Sequence, residues 1–219
     1  MEIVSPVMNT RTEPSQTLAE FWEAMNVGFT VQKERSCGGH VHITPSNSTS
    51  RFTITDLRTI AFSTVVYEDC VYSILPANRK INPYCNRNTQ QASTLNRTCG
   101  AGLSTTAYRN VGVGLNAAVT PNEVLAYMQT KRYVLWNFQH ILSTSTGTVE
   151  FRGGSQFKDT QGTLKWIAFV VAFINLALSE VHPIPCSWYV SVLFHYSNRV
   201  LEPITNKQRS LCFTFFVWI

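Results

Sequence analysis

The sequence has few charged residues and lacks the short motifs that mark the commonest metal and redox sites. Only 14% of its 219 residues are charged, and the basic ones are scattered, which argues against a nucleic-acid-binding surface. No Cys-x-x-Cys occurs among the six cysteines, so neither a zinc ribbon nor a redox dithiol is indicated. The first residues contain no basic segment followed by an apolar one, so we expect no secretory signal and a cytoplasmic location.

Long apolar runs are also scarce. The most apolar segment, 166–178, spans about 20 Å as a helix, whereas a bilayer core is about 30 Å thick. We therefore predict that the helix 162–179 packs in the core and that the protein does not bind a membrane. Gly112-Val113-Gly114 lacks the preceding strand and the third glycine of a dinucleotide-binding fingerprint, so that type of site is excluded as well.

The chain does contain a histidine pair in a segment with strand character, Cys37-Gly-Gly-His40-Val-His42-Ile-Thr44. Side chains two residues apart share one face of a strand, so His40 and His42 are predicted to point to one place. Residues 29–34 alternate in polarity and are predicted to pair with this strand in a β-hairpin. A strand edge with two solvated histidines is the alternative interpretation.

A second polar face is predicted in the strand 148–153, which we expect to pair with a strand at 133–138. Glu150 and Arg152 share one of its faces, either a solvated sheet surface or the floor of a polar site. Carboxylates together with imidazoles suit Mg²⁺ or Mn²⁺ held jointly with substrate phosphates, and arginines clamp phosphate. This combination indicates phosphoryl transfer.

Other chemistries draw on the same residue types. Two histidines and one carboxylate also form a non-haem iron triad or an open zinc site, as in a metallo-oxygenase or hydrolase. The cupin form of that site is disfavoured, because no acid follows His42 before Asp56. Cys37 as a nucleophile is disfavoured, because a strand places it and His40 on opposite faces. The remaining histidines are expected to be packed or superficial: His140, His182 and His195.

Elsewhere we predict helices at 16–27, capped by Ser15, at about 56–75 and at 121–130. Residues 76–120 have no sustained period and are expected to be mainly loop. We assign residues 1–182 to one catalytic domain. Residues 183–219 end in a run of bulky apolar residues, and we interpret them as an atypical tail that does not belong to the fold.

The order of several motifs resembles the amidoligase family of the fungal type. The motifs are Glu2-Ile-Val-Ser-Pro6, Phe21-Trp22, the His-x-His segment, Leu75-Pro-x-x-Arg79-x-x-Asn-x-Tyr-Cys85, Trp136-Asn-Phe138, Val149-Glu-Phe-Arg-Gly153 and Trp166-Ile-x-Phe169. This family belongs to the carboxylate–amine ligase superfamily of glutamine synthetase and glutamate–cysteine ligase. The resemblance covers residues 2–180.

The resemblance implies an α+β fold, a curved antiparallel sheet backed by helices, with ATP and Mg²⁺, or Mn²⁺ in its place, on the concave face. A carboxylate of a small molecule or peptide would be phosphorylated and then attacked by an amine to give an amide. The implied metal ligands are Glu2, His40 and Glu150, the implied phosphate contact is His42, and the implied cations on the transferring phosphate are Arg79 and Arg152, which also binds the nucleotide.

One part of the family pattern is missing from this sequence. The family has a Gly-x-Glu-x-Glu strand upstream of the Glu-x-x-Ser-Pro segment, and it supplies metal ligands from a central position in the sheet. We therefore expect the chain to be truncated at its first strand. An inactive remnant or a binding module on the same fold is the alternative to a ligase.

Overall fold

The computed structural model describes residues 2–10, 14–30, 34, 37–46, 49–100, 102–179 and 211–218, with the side chains of Glu2, Val217 and Trp218 excepted. The strands are β1 (Glu2–Val4), β2 (Met8–Asn9), β3 (Gly38–Pro45), β4 (Trp136–Asn137), β5 (Val149–Ser155) and β6 (Leu211–Trp218). The helices are α1 (Ser15–Gly28), α2 (Ile54–Val66), α3 (Glu68–Ile74), α4 (Ala77–Lys80), α5 (Asn88–Gln91), α6 (Ser93–Cys99), α7 (Thr105–Ala117), α8 (Pro121–Met128) and α9 (Thr160–Ser179), and a 3₁₀ turn covers Gln139–Ile141.

The described strands form one antiparallel sheet in the order β1-β6-β3-β5-β4, with β2 also paired to β6. The prediction of an α+β fold with an antiparallel sheet backed by helices is confirmed. Strand β3 has a partner on each side, so all of its residues are buried. The His-x-His segment therefore does not lie at an edge, and the interpretation as two solvated histidines is wrong.

The two faces of the central strands differ in polarity, as the alternation of β-strand side chains requires. Val41 and Ile43 of β3 lie opposite Phe151 and Val149 of β5, and all four are completely buried in the main core. Helix α9 packs against β3, α1 and α2. Among the described helices it alone has the length and hydropathy of a membrane span, by length and composition only. Its buried apolar residues are typical of a core helix.

Several helix predictions need correction. Helix α1 begins at Ser15 itself, preceded by Pro14, and it has no side-chain cap. The long helix predicted to end at residue 75 breaks at Tyr67 into α2 and α3, and its cap is the reciprocal pair Thr53 and Asp56. The segment 76–120 is mainly helical. Helices α4, α5 and α6 have four to seven residues and bury one or two side chains each, which leaves little periodic signal; α7 buries three, Ala107, Val111 and Leu115, and was missed although they recur every four residues.

The strand pairing also differs from the predicted pairing. In the described residues, β3 pairs with β5 and β6, and Phe29, Thr30 and Glu34 are not in a strand, so the predicted hairpin with 29–34 is wrong. The predicted pairing of 133–138 with 148–153 is confirmed as β4 with β5. Strand β6 comes from the predicted tail and lies inside the sheet, which differs from our expectation for residues 211–218. The proposed domain boundary falls outside the described residues and stays a prediction.

Candidate active site

The two histidines of β3 converge on one carboxylate. His42 lies directly opposite Glu150 of β5, and His40 is two residues earlier in β3. Nδ1 of His40 is 3.1 Å from Oε1 of Glu150, and Nε2 of His42 is 3.6 Å from the same oxygen. The three residues are 5%, 6% and 1% exposed, respectively. The polar face of the sheet therefore has a buried carboxylate at its centre.

Two further side chains hold Glu150 in place. Arg152 Nη1 donates a hydrogen bond of 2.7 Å to Oε1, and Asn137 Nδ2 of β4 donates one of 2.6 Å to Oε2. Asn137 is itself bound by Gln129, whose Nε2 donates to its Oδ1 at 2.6 Å. Both oxygens of the carboxylate are thus engaged, and charge-assisted bonds of this length are among the strongest in proteins.

The electrostatics of the cluster favour an ionised Glu150 and a neutral His40. Burial by itself raises the pKa of Glu150, but the imidazoles of His40 and His42 and the guanidinium of Arg152 outweigh it and hold that pKa well below its ordinary value. Burial, reinforced by the charge of Arg152, lowers the pKa of His40. Because an ionised carboxylate only accepts hydrogen bonds, the proton of neutral His40 lies on Nδ1.

A third histidine joins the cluster from outside the sheet. His140 lies in the 3₁₀ turn after β4, and its Nε2 is 3.6 Å from Oε2 of Glu150. Its ring centroid is 4.9 Å from that of His42. Burial and the neighbouring His42 lower the pKa of His140. We expected His140 to be a packed or superficial residue. The feature of the sequence that could have indicated its place in the cluster is its position three residues after Asn137, which pairs with Glu150.

Comparison with known families supports the assignment made from the motifs. A family described as "putative amidoligase enzyme" matches residues 1–174, a span that contains every residue of the cluster. The chain belongs to this amidoligase family. The searches of curated proteins and of solved structures found no match.

In this amidoligase, Arg79 lies behind the cluster and is completely buried. Its Nη2 donates a 2.5 Å hydrogen bond to the carbonyl oxygen of Arg152, and its Nη1 donates one of 3.4 Å to that of Cys37. Among the described residues no carboxylate forms an ion pair with it. These contacts link the residue before β3 to the middle of β5, and the role of Arg79 as a phosphate clamp stays a prediction.

Glu2 occupies the sheet of the amidoligase two strands away from the histidines. Its backbone pairs with Trp218 of β6, so β6 separates it from β3. Neighbouring strands lie about 4.8 Å apart, which puts the backbones of β1 and β5 about 14 Å from each other. The side chain of Glu2 lies outside the described part of the chain, and its role as a metal ligand stays a prediction.

Strand β6 lines the polar face of the amidoligase with uncharged side chains. Thr214 lies opposite His42, and Phe216 lies opposite His40. The ring of Phe216 packs on His42, with 4.4 Å between their centroids. Thr214 and Phe216 are therefore the side chains that β6 places beside the histidines of β3.

The described residues contain one group of three potential metal ligands in this cluster. It consists of His42, His140 and Glu150, whose ligand atoms all lie within 4.8 Å of one another. This set differs from the predicted set of Glu2, His40 and Glu150. Sequence reasoning predicted Glu150 as a metal ligand and His42 as a phosphate contact, and both roles stay predictions; it did not place His140 in this group.

Proposed function

We propose that this amidoligase uses ATP and Mg²⁺ to join a carboxylate of a small molecule or peptide to an amine through an acyl phosphate. The observation that carries the proposal is the convergence of His40, His42 and Arg152 on the buried carboxylate of Glu150, in a chain that belongs to the amidoligase family. Phosphoryl transfer depends mainly on positioning and on neutralising charge, and this cluster is rigid and charged.

The donor set is compatible with Mg²⁺ shared with a nucleotide. Mg²⁺ is commonly held by one or two carboxylates, with substrate phosphates and water completing its shell. Glu150 supplies one ionised carboxylate, and Nδ1 of His40 lies 3.1 Å from it and helps to hold it in place. When bound, the ion would neutralise charge on the phosphates. Arg152 would bind the transferring phosphate with the donors that Glu150 leaves available.

The proposed reaction has two steps that balance on the substrates. A carboxylate oxygen attacks the γ-phosphorus of ATP, which forms an acyl phosphate and releases ADP. An amine nitrogen then attacks the acyl carbon, inorganic phosphate leaves, and the nitrogen loses a proton. In both steps we assign to Arg152 and His42 the stabilisation of negative charge on phosphate oxygens.

A second candidate is a binding module on the same fold that does not turn over substrate. Beside the histidines of β3, strand β6 carries Thr214 and Phe216, which favours this candidate because affinity for Mg²⁺ depends on the number of carboxylates. In that case the protein would bind a ligand at the cluster without forming ADP.

The test is calorimetric titration of the purified chain with ATP, with and without Mg²⁺, combined with an assay of ADP formation in the presence of pooled amines and carboxylates. Glu150→Gln removes the charge and keeps the shape of the side chain. Glu23→Gln, at an exposed position in α1, is the matched control. We expect Mg²⁺-dependent binding of ATP that weakens about tenfold or more in Glu150→Gln and is unchanged in Glu23→Gln.

ADP formation that depends on an amine and a carboxylate would support the ligase. Nucleotide binding without ADP formation would favour the binding module. Equal ATP binding in the wild type and in Glu150→Gln would contradict both assignments of the site.

A further inference from the structure

The group formed by His42, His140 and Glu150 has the composition of a transition-metal site. Its members come from three separate elements, β3, the 3₁₀ turn and β5. Nε2 of each histidine faces a different oxygen of Glu150, and both distances are 3.6 Å. Such separations are too long for a hydrogen bond. Ligands about 2.0–2.1 Å from a tetrahedral ion lie about 3.3–3.4 Å apart. Each of these contacts is only a few tenths of an ångström longer, but they go to different oxygens, so a carboxylate that binds through one oxygen must also turn toward one histidine.

Hydroxyl groups of the preceding turn orient both imidazoles. Nδ1 of His42 is 3.0 Å from Oγ1 of Thr148, which is itself 3.0 Å from Oγ1 of Thr146. Nδ1 of His140 is 3.4 Å from Oγ of Ser145. Pairing of Nδ1 with an outer group is the usual arrangement of histidines that bind a metal through Nε2, because it sets the tautomer and the ring orientation.

The remaining adjustment falls on the residue best able to move. All three ligand atoms are within 4.8 Å of one another, so the two imidazoles must approach each other. His42 is locked in the central strand, but the side chain of His140 is 36% exposed and lies in a short turn. The same exposure leaves a side of the site open to water or to a substrate.

The donors favour one class of cation over another. Mg²⁺ requires oxygen ligands in a nearly octahedral shell, whereas imidazole suits Zn²⁺ and its first-row neighbours. The one carboxylate in this group already forms an ion pair with Arg152, which reduces the net negative charge that a hard cation would need. The two imidazole nitrogens therefore favour Zn²⁺ over Mg²⁺ at this site.

We propose that His42, His140 and Glu150 bind one first-row transition-metal dication, Zn²⁺ in preference to Mg²⁺, with His140 as a ligand that the ligase proposal does not require. The proposal goes beyond the amide-forming activity and concerns the protein without nucleotide, because Glu150 and Nε2 of His42 cannot bind Zn²⁺ and serve Mg²⁺ and phosphate at the same time. An open position on the ion would remain for water or substrate.

The experiment titrates the chelator-treated full chain with Zn²⁺, and with Co²⁺ as a spectroscopic probe, in the absence of nucleotide. We expect one ion per chain and Co²⁺ absorption bands typical of a low coordination number. His140→Ala, with His140→Asn as a second variant, should weaken Zn²⁺ binding by more than about 100-fold, beyond the loss caused by removing an outer partner. The control is Gln139→Ala, an exposed neighbour in the same turn, which should bind as the wild type does.

Thermal unfolding in chelator establishes that each variant is folded, and Zn²⁺ should raise the midpoint of the wild type but not of the His140 variants. A folded wild type that binds no Zn²⁺ would overturn the proposal. So would equal affinity in the His140 variants and in Gln139→Ala, or displacement of Zn²⁺ by equimolar Mg²⁺. Because no nucleotide is present, these outcomes are independent of the test of the ligase.

Discussion

Thr214 of β6 lies directly opposite His42 of β3, in the register of two adjacent antiparallel strands. Side chains at such positions have Cβ atoms about 4.5–5.5 Å apart and project from the same face. The strand next to the histidines thus contributes a hydroxyl group where a carboxylate would complete an oxygen-rich metal site. Glu150 on the other side of β3 is left as the only carboxylate that contacts His42 among the described residues.

This relationship predicts a gain of metal affinity from one substitution. Thr214→Glu should strengthen Mg²⁺ binding on the order of tenfold, because carboxylate count is a main determinant of affinity for hard cations. Without metal the variant should be less stable than Thr214→Gln, since the new charge faces Glu150 across the strand. Thermal midpoints of both variants with and without Mg²⁺ measure the effect, and equal responses would show that residue 214 does not face the site.

A second prediction concerns the close approach at the start of β3. A Cβ on Gly39 would lie 2.5 Å from the carbonyl oxygen of Ser155 and closer still to the ring of Phe157. Gly39→Ala should therefore lower the free energy of unfolding by about 1–3 kcal/mol or more, as overpacking does. A Cβ added to Gly28, at the end of α1, would have no atom within 4 Å.

Gly28→Ala is the matched control, expected to be neutral or stabilising by up to about 1 kcal/mol. Denaturant unfolding of both variants gives the comparison. A Gly39→Ala protein as stable as the wild type would refute the close packing of Phe157 on β3.

A third prediction uses the pKa of Glu68, a completely buried carboxylate at the start of α3. Burial raises this pKa above the ordinary value of 4.5, although the side chain accepts hydrogen bonds from Thr89 and lies near Arg87 and Cys99. A raised folded-state pKa gives stability that is present at low pH and is lost as the pH rises from 4.5 through the raised value.

The free energy of unfolding of the wild type should therefore fall by more than that of Glu68→Gln as the pH rises above 4.5. Glutamine keeps the hydrogen bonds to Thr89 but does not titrate, so the difference between the two proteins isolates this group. Denaturant titrations across the range measure it, and parallel curves would be inconsistent with a raised pKa.

A fourth prediction tests how the proposed Zn²⁺ site is supported. Thr148→Val removes the partner of His42 Nδ1 with little change in shape, and it should weaken Zn²⁺ binding by about 10–100-fold. Thr146→Val changes an exposed residue and keeps the Thr148 contact, so it should have a much smaller effect. Zn²⁺ titration of both variants measures the two affinities. Equal affinities for Zn²⁺ in Thr148→Val and Thr146→Val would contradict an orienting role of Thr148.

The parts of the fold that sequence reasoning predicted correctly are those with a regular local pattern. Strand β5 alternates in polarity, α8 begins with Thr120 and Pro121, and α9 is apolar over most of its length. Helices α4, α5 and α6 were missed because they bury one or two side chains each and carry almost no periodic signal, whereas α7 does bury residues at a spacing of four and could have been predicted. The pairing of β3 was missed because its neighbours come from residues more than 100 positions away in the chain.

The sequence by itself determined the family, through the order of its motifs. It also determined that His40 and His42 share one face of a strand, and that Glu150 and Arg152 do so in another. Both follow because the alternation of side chains is a property of the local backbone. The tertiary structure decided which strands are neighbours. Hydrogen bonding between strands is non-local, and it sets which side chains meet: Glu150 with both histidines, His140 with Glu150, and Thr214 with His42.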